Sequence, residues 1–221
     1  MSLELMYKDE LKGFYKSKVM LFLWTGLPMI AVMFHILKPE ASQRELPLTM
    51  LSALVVSSLS GTLSSIMLAV SIIHEKSKGV YPLFLIRPVK RWSIVMGKYL
   101  AVYTCIIIAA FISVMIGLIV DYFSAEGITT SLLMQTGQSL FFSFSMMSVT
   151  ASAGVLIGVV SPSVLVGVIL VLYGGNQVAV VTVLPAMLNL PFQSLFSIGI
   201  SLLVTAATLT LAIIIFNRKQ F

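Results

Sequence analysis

The sequence predicts an all-α membrane protein: six transmembrane helices, an amphipathic elbow helix at the N-terminus, and a short cytosolic helix between the second and third spans. Three observations carry this. The 221 residues are 58% hydrophobic and only 10% charged, against about 25% charged in a soluble domain. Apolar runs of about 20 residues recur, the length a helix needs to cross a hydrocarbon core of roughly 30 Å. Lysine and arginine concentrate in alternate connecting segments, as they do around membrane spans. One transmembrane domain accounts for residues 1–221.

Residues 2–18 open the chain as an amphipathic helix. Leu3, Tyr7, Leu11 and Phe14 recur at steps of three or four on one face, and Lys8, Lys12 and Lys16 occupy another. Such a helix lies in the interface with its lysines toward anionic headgroups; the alternative is a leader that only sets topology. This N-terminus does not read as a signal peptide, because the apolar run after it is of full spanning length and no small-x-small cleavage pattern closes it.

The predicted spans are Val19–Leu37, Leu48–Ile73, Tyr99–Val120, Leu132–Val160, Ser163–Leu184 and Ser194–Phe216. The first carries Trp24 and Pro28. The fourth and fifth are separated by Ser161-Pro162-Ser163, where proline stops one helix and starts the next.

The loop charges orient the spans. Lys8, Lys12, Lys16 and Lys18, then Lys76, Lys78, Arg87, Lys90, Arg91 and Lys98, then Arg218 and Lys219 fall on one side of six crossings. The other side keeps only Lys38 and Arg44, offset by Glu40 and Glu45, followed by the acidic 121–131 loop and the uncharged 185–193 loop. Twelve basic residues of fourteen on one side make both termini cytosolic in a multi-pass cell-membrane protein. The net charge of +6 is thereby explained without nucleic acid. The apolar Met187–Leu190 stretch between Pro185 and Pro191 is expected to dip back into the interface.

The spans place no Asp, Glu, Lys, Arg or His at depth; His35 and His74 sit near helix ends. Proton relays and ion-coupled carriers need such groups. Intramembrane proteases need a catalytic pair, and metal sites need clustered His, Cys or carboxylates. Gly97-Lys98 lacks the glycine and the following Ser or Thr of a phosphate-binding loop. The single cysteine, Cys105, permits no disulfide within the chain. No inverted repeat relates the halves. Catalytic, metal-binding and cofactor-binding residues are therefore not expected.

Small residues recur every four positions at Ser57, Gly61, Ser65 and Ala69, and again at Gly154 and Gly158. That spacing lets helices approach closely, either inside one subunit or at a dimer seam. In the fifth span, Tyr173-Gly174-Gly175 precedes Asn176 and Gln177. These two amides mark a substrate path, with the glycines as a hinge, or an interhelical hydrogen bond. Gln135 and Gln138 invite the same two readings.

Residues 74–98 form the longest polar interruption. Gly79 breaks or tightens its first part, and Tyr81, Leu83, Phe84 and Ile86 give it more apolar surface than a solvated loop needs. Arg87-Pro88 ends that part. Pro88 then suits the first turn of a new helix, Val89–Lys98, anchored at the interface by Trp92. The segment either docks a cytosolic partner or lies flat on the headgroups.

The spacing Glu75, Gly79, Leu83–Leu85, Pro88-Val89, Arg91, Ile94 and Gly97-Lys98 resembles the first cytoplasmic loop of type-2 ATP-binding-cassette (ABC) transporter permeases. The whole layout is similar too: elbow helix, six spans, cytosolic termini, and a proline-bearing apolar loop before the last span. Val80 stands where that family has threonine, and Arg87 where small polar residues are common. The resemblance implies that residues from about Glu75 to Leu85 form a coupling helix seated in a groove of a separate ATPase subunit. It implies a working unit of two permease chains, identical or paralogous, and two ATPases that bind the ATP and Mg. The coupling residues are then Glu75, Gly79, Leu83, Phe84, Pro88 and Arg91, with Asn176 and Gln177 on a possible substrate path. The expected function is that of an exporter permease, not an enzyme. The alternatives are an anchor or accessory subunit and an intramembrane enzyme. Lipids, drugs, peptides and lipid-linked glycans are all compatible cargoes.

Overall fold

The computed structural model describes residues 3–37, 48–81, 90–123, 130–182, 184–187 and 193–218, and every regular element within them is helical. α1 spans Leu3–Tyr15 and α2 Lys18–Leu37. α3 runs Leu48–Ser77, α4 Arg91–Phe123 and α5 Thr130–Val160. The next leg is broken: α6 (Val164–Leu170) passes through a π-helical turn (Val171–Gly175) into α7 (Asn176–Val180). One turn, α8 (Leu184–Met187), precedes α9 (Gln193–Arg218).

Among the described residues, four helices are long and apolar enough to cross a membrane: Val55–Ser77, Arg91–Ile119, Thr136–Val160 and Ser194–Arg218. The first predicted span is α2, Lys18–Leu37, and the fifth is apolar helix over Val164–Val180. The Ser161-Pro162-Ser163 break is present, and the Ser163 hydroxyl caps α6 by accepting from the Val166 N–H.

Contacts between helices fix their relative directions. Trp24 Nε1 donates to the Cys105 carbonyl and Ser113 Oγ to the Leu27 carbonyl, so α2 and α4 run parallel. Tyr99 meets Ser148 while Tyr103 meets the Phe144 carbonyl, so α4 and α5 are antiparallel. Ser148 meets Thr205, and Ser152 meets Thr208, so α5 and α9 are parallel. Ile73 lies at Gly167 and Ser65 at Gly175, so the broken leg opposes α3. The six long legs thus alternate in direction along the chain.

The tightest seam is between α3 and α5, which run parallel with Gly61 at Thr150, Ser65 at Gly154 and Ala69 at Gly158. A Cβ on Gly154 would lie 2.5 Å from the Ser65 Cα and carbonyl oxygen; one on Gly158 would lie 2.9 Å from the Ala69 Cα. The small-residue stripes are used against each other inside the subunit, with backbone meeting backbone. Around this seam, Leu68, Ile72, Met147, Ala151, Val155 and Val159 form the buried core.

Two sequence expectations are corrected. Val89–Lys98 does not form a separate helix: from Arg91 onward these residues are the opening turns of α4. Nothing between Lys98 and Tyr99 breaks a helix, and Lys98 is neutralised by partners and need not stay in water. The fifth span is helical over Val164–Val180 and not over all of 163–184, and a π-turn at Val171–Gly175 changes the pitch within that run. Glycine is a poor helix former, and a one-residue π insertion costs least where backbone constraint is weakest.

Candidate functional site at the charged end of the bundle

α1, the end of α3, the start of α4, the α5–α6 break and the last turn of α9 converge at one end of the bundle. Gly79 shapes it. Lys78 N–H bonds back to the His74 carbonyl at 3.0 Å and Gly79 N–H to the Lys76 carbonyl at 3.3 Å, closing α3. Gly79 has φ +63°, a left-handed conformation that glycine adopts without a Cβ penalty. No atom lies within 4 Å of where its Cβ would be, so the requirement is conformational and not spatial. The reversal returns Tyr81 to the bundle, where it is 2% exposed. Its hydroxyl donates to the Ile72 carbonyl at 3.3 Å. Its ring meets Phe216 of α9 edge-on, centroids 5.0 Å apart.

Beside this turn lies a buried charge cluster. Lys98 is 1% exposed. Its ammonium donates to Glu10 Oε1 at 2.7 Å, Glu75 Oε1 at 2.6 Å and Ser71 Oγ at 3.3 Å. All three donors are used, and they join α1, α3 and α4. α1 is seated on α4 nearby: the Gly97 Cβ position is 3.2 Å from the Met6 Cβ, and Tyr7 donates to Thr104 Oγ1 at 3.1 Å. Lys8, Lys12 and Lys16 point away from that contact and are exposed. Burial pushes the Glu10 carboxyl above its usual range even though Lys98 pulls it down. Burial, with the nearby Glu75 and Glu10 charges, likewise raises Tyr81 and keeps it a neutral phenol.

Two more basic residues serve helix ends. Lys76 Nζ donates to the Ser161 carbonyl just past α5 at 3.2 Å, and an Arg91 guanidinium N–H to the Asn217 carbonyl of α9 at 3.2 Å. Both place positive charge at helix C-termini, where the backbone dipole favours it. Lys76, Arg91 and Lys98 therefore work within the fold, while Lys78 and Lys90 stay exposed.

Of the predicted coupling residues, Glu75, Gly79 and Arg91 come to this one end. Glu75 turns inward to Lys98, and Arg91 turns to α9. Leu83, Phe84 and Pro88 lie outside the described residues. Asn176 and Gln177 open α7 directly after the π-turn, half-buried and exposed respectively. They are remote from the charged end, and neither side chain makes a hydrogen bond among the described residues. Gln138 is exposed, and nothing is described of the Gln135 side chain.

The sequence reading missed the burial of Lys98, which it left among the loop charges. A signal was present: Glu10 falls on the same face of α1 as Tyr7 and Phe14, an acid where the pattern demands an apolar residue. Chemically, the arrangement offers no nucleophile. It is an electrostatic clamp that fastens the residue 75–81 turn to three helices. No protein-family model matches this chain, and a search of curated proteins finds no match to it.

Proposed function

We propose that the chain is the membrane-spanning permease subunit of a type-2 ABC transporter, an exporter, moved by a separate ATPase that grips the segment between α3 and α4. In this reading all six legs cross the cell membrane, and both termini and residues 74–98 are cytosolic. Two permease chains work with two ATPases that hold the ATP and Mg.

One observation carries the reading. The turn at Gly79–Tyr81 is fastened to α1, α3, α4 and α9 through Lys98, Tyr81 and Arg91. A push on the adjoining segment therefore reaches four helices at once instead of dissipating in a loose loop. Interiors packed in this way transmit displacement because they are dense and stiff. The alternating direction of the six legs supports the topology, and the described basic residues outside the clamp lie at this same end.

The experiment is co-purification of the full chain with its ATPase, comparing the parent with Phe84→Asp. A charge placed in an apolar docking contact should abolish capture of the ATPase and leave the helical content unchanged. Undiminished capture by Phe84→Asp would contradict the reading. Catalytic activity from the purified chain alone, with no ATPase present, would favour an enzyme in its place.

A further inference from the structure

The Glu10–Lys98–Glu75 cluster is unbalanced. One ammonium with 1% of its side chain exposed faces two carboxylates at 2.7 and 2.6 Å, themselves only 17% and 22% exposed. With all three groups ionised the cluster carries one excess negative charge in surroundings that screen charge poorly. The second oxygen of Glu75, Oε2, is buried, and the neutral donor beside this carboxylate among the described residues, the Tyr81 hydroxyl, is shared with the Ile72 carbonyl; a poorly satisfied buried carboxylate oxygen is costly. Nearby cations are directed elsewhere: Lys76 to the Ser161 carbonyl and Arg91 to the Asn217 carbonyl. The other titratable groups facing the cluster are Asp9 and Tyr7 on α1, Tyr81 after the turn, and Tyr99 beside Lys98. Asp9 adds negative charge, and Tyr7 and Tyr99 are hydrogen-bonded to Thr104 and Ser148.

We propose that this cluster is a proton-binding site: Glu10 holds one proton beside the Glu75–Lys98 pair, and loss of that proton loosens α1 from the bundle. One buried cation cannot fully compensate two carboxylates at once, and Glu10 is the one that burial and the neighbouring Glu75 and Asp9 charges push toward the protonated form. The raised position of Glu10 agrees with this. The sign follows from linkage. Docked α1 holds the proton more tightly than released α1, so docking is favoured at low pH. That advantage is lost as pH climbs from the ordinary carboxylate range through the raised docked-state value. α1 is the element that yields. Glu75 sits inside the 30-residue α3, packed along α5, whereas α1 is a 13-residue helix with one fully buried apolar side chain, Met6. The inference does not depend on the transport reading.

The test uses the full chain in lipid nanodiscs with Cys105→Ser. A single cysteine is placed at the buried Met6 or, as a reference on the same helix, at Leu5, which is 40% exposed. The ratio of the two labelling rates cancels the intrinsic ionisation of the thiol. That ratio is expected to rise several-fold as pH climbs from about 4 to about 8, through the ordinary carboxylate range and the raised docked-state value. Glu10→Gln keeps an acceptor for Lys98 and removes the excess charge, so it should flatten the rise. Lys98→Met removes the cation that pulls Glu10 down, so the rise should move to higher pH; if that variant fails to fold, Glu10→Gln carries the test alone. A flat ratio in the parent, or a rise undiminished by Glu10→Gln, overturns the proposal.

Discussion

Substituting Gly154 by alanine is the sharpest perturbation of the helical framework. The added Cβ would meet the Ser65 Cα and carbonyl oxygen at 2.5 Å, where ordinary carbon contacts lie at about 3.5–4.0 Å. Both atoms belong to the α3 backbone, so no side-chain rotation relieves the clash. α3 and α5 must part by about 1 Å along a seam that also includes Gly61 and Gly158. Overpacking of this kind costs about 1–3 kcal/mol, offset in part by the roughly 1 kcal/mol that alanine gains over glycine in a helix. For a chain of this size each kcal/mol lowers Tm by about 2–4 °C. Cys105, the only cysteine and 1% exposed, provides the assay: a thiol-reactive fluorophore reports its exposure as the protein is heated. Gly137→Ala on the same helix is the control, since nothing lies within 4 Å of its Cβ position and the exchange gains about 1 kcal/mol of helix propensity. Gly154→Ala should melt several degrees below the parent while Gly137→Ala does not. A Gly154→Ala protein melting with the parent, or a Gly137→Ala protein falling equally far, would refute the close α3–α5 contact.

Gly79→Ala should cost about 1–2 kcal/mol, because a left-handed residue acquires a Cβ; Gly79→Asn should cost less, and the same melting assay reads both. Equal melting of the parent and the alanine variant would show that the turn at +63° is not required. In a Cys105→Ser background, cysteines at exposed Ser77 and Lys90 should react with a membrane-impermeant maleimide only in inverted vesicles. Labelling from the outside of intact cells would reverse the orientation derived from the basic loops.

Much of the framework was legible because its causes are local. Apolar length set the helices, Ser161-Pro162-Ser163 set the α5–α6 break, and the four-residue spacing of Ser65-Ala69 and Gly154-Gly158 announced close packing. What escaped depends on partners distant in sequence. Lys98 looks like a loop charge because its neighbours are polar. Its carboxylates lie 88 and 23 residues away, and only the folded chain brings them together. The π-turn at Val171–Gly175 escaped because hydropathy is blind to a change in helical pitch. The Gly174-Gly175 pair was its only mark, and of the amides that follow it Asn176 is half-buried and Gln177 exposed, with no side-chain hydrogen bond among the described residues.

The claim at the centre of this account is that a separate ATPase holds the chain by the segment after Gly79. The most direct measurement puts a photo-crosslinker on a cysteine at exposed Lys78, one residue before that turn, in a Cys105→Ser chain kept in its native membrane, and identifies the adduct. The account predicts a covalent product with a nucleotide-binding subunit, whose yield changes when ATP is added. Adducts with lipid alone, or with other copies of this chain alone, would contradict it.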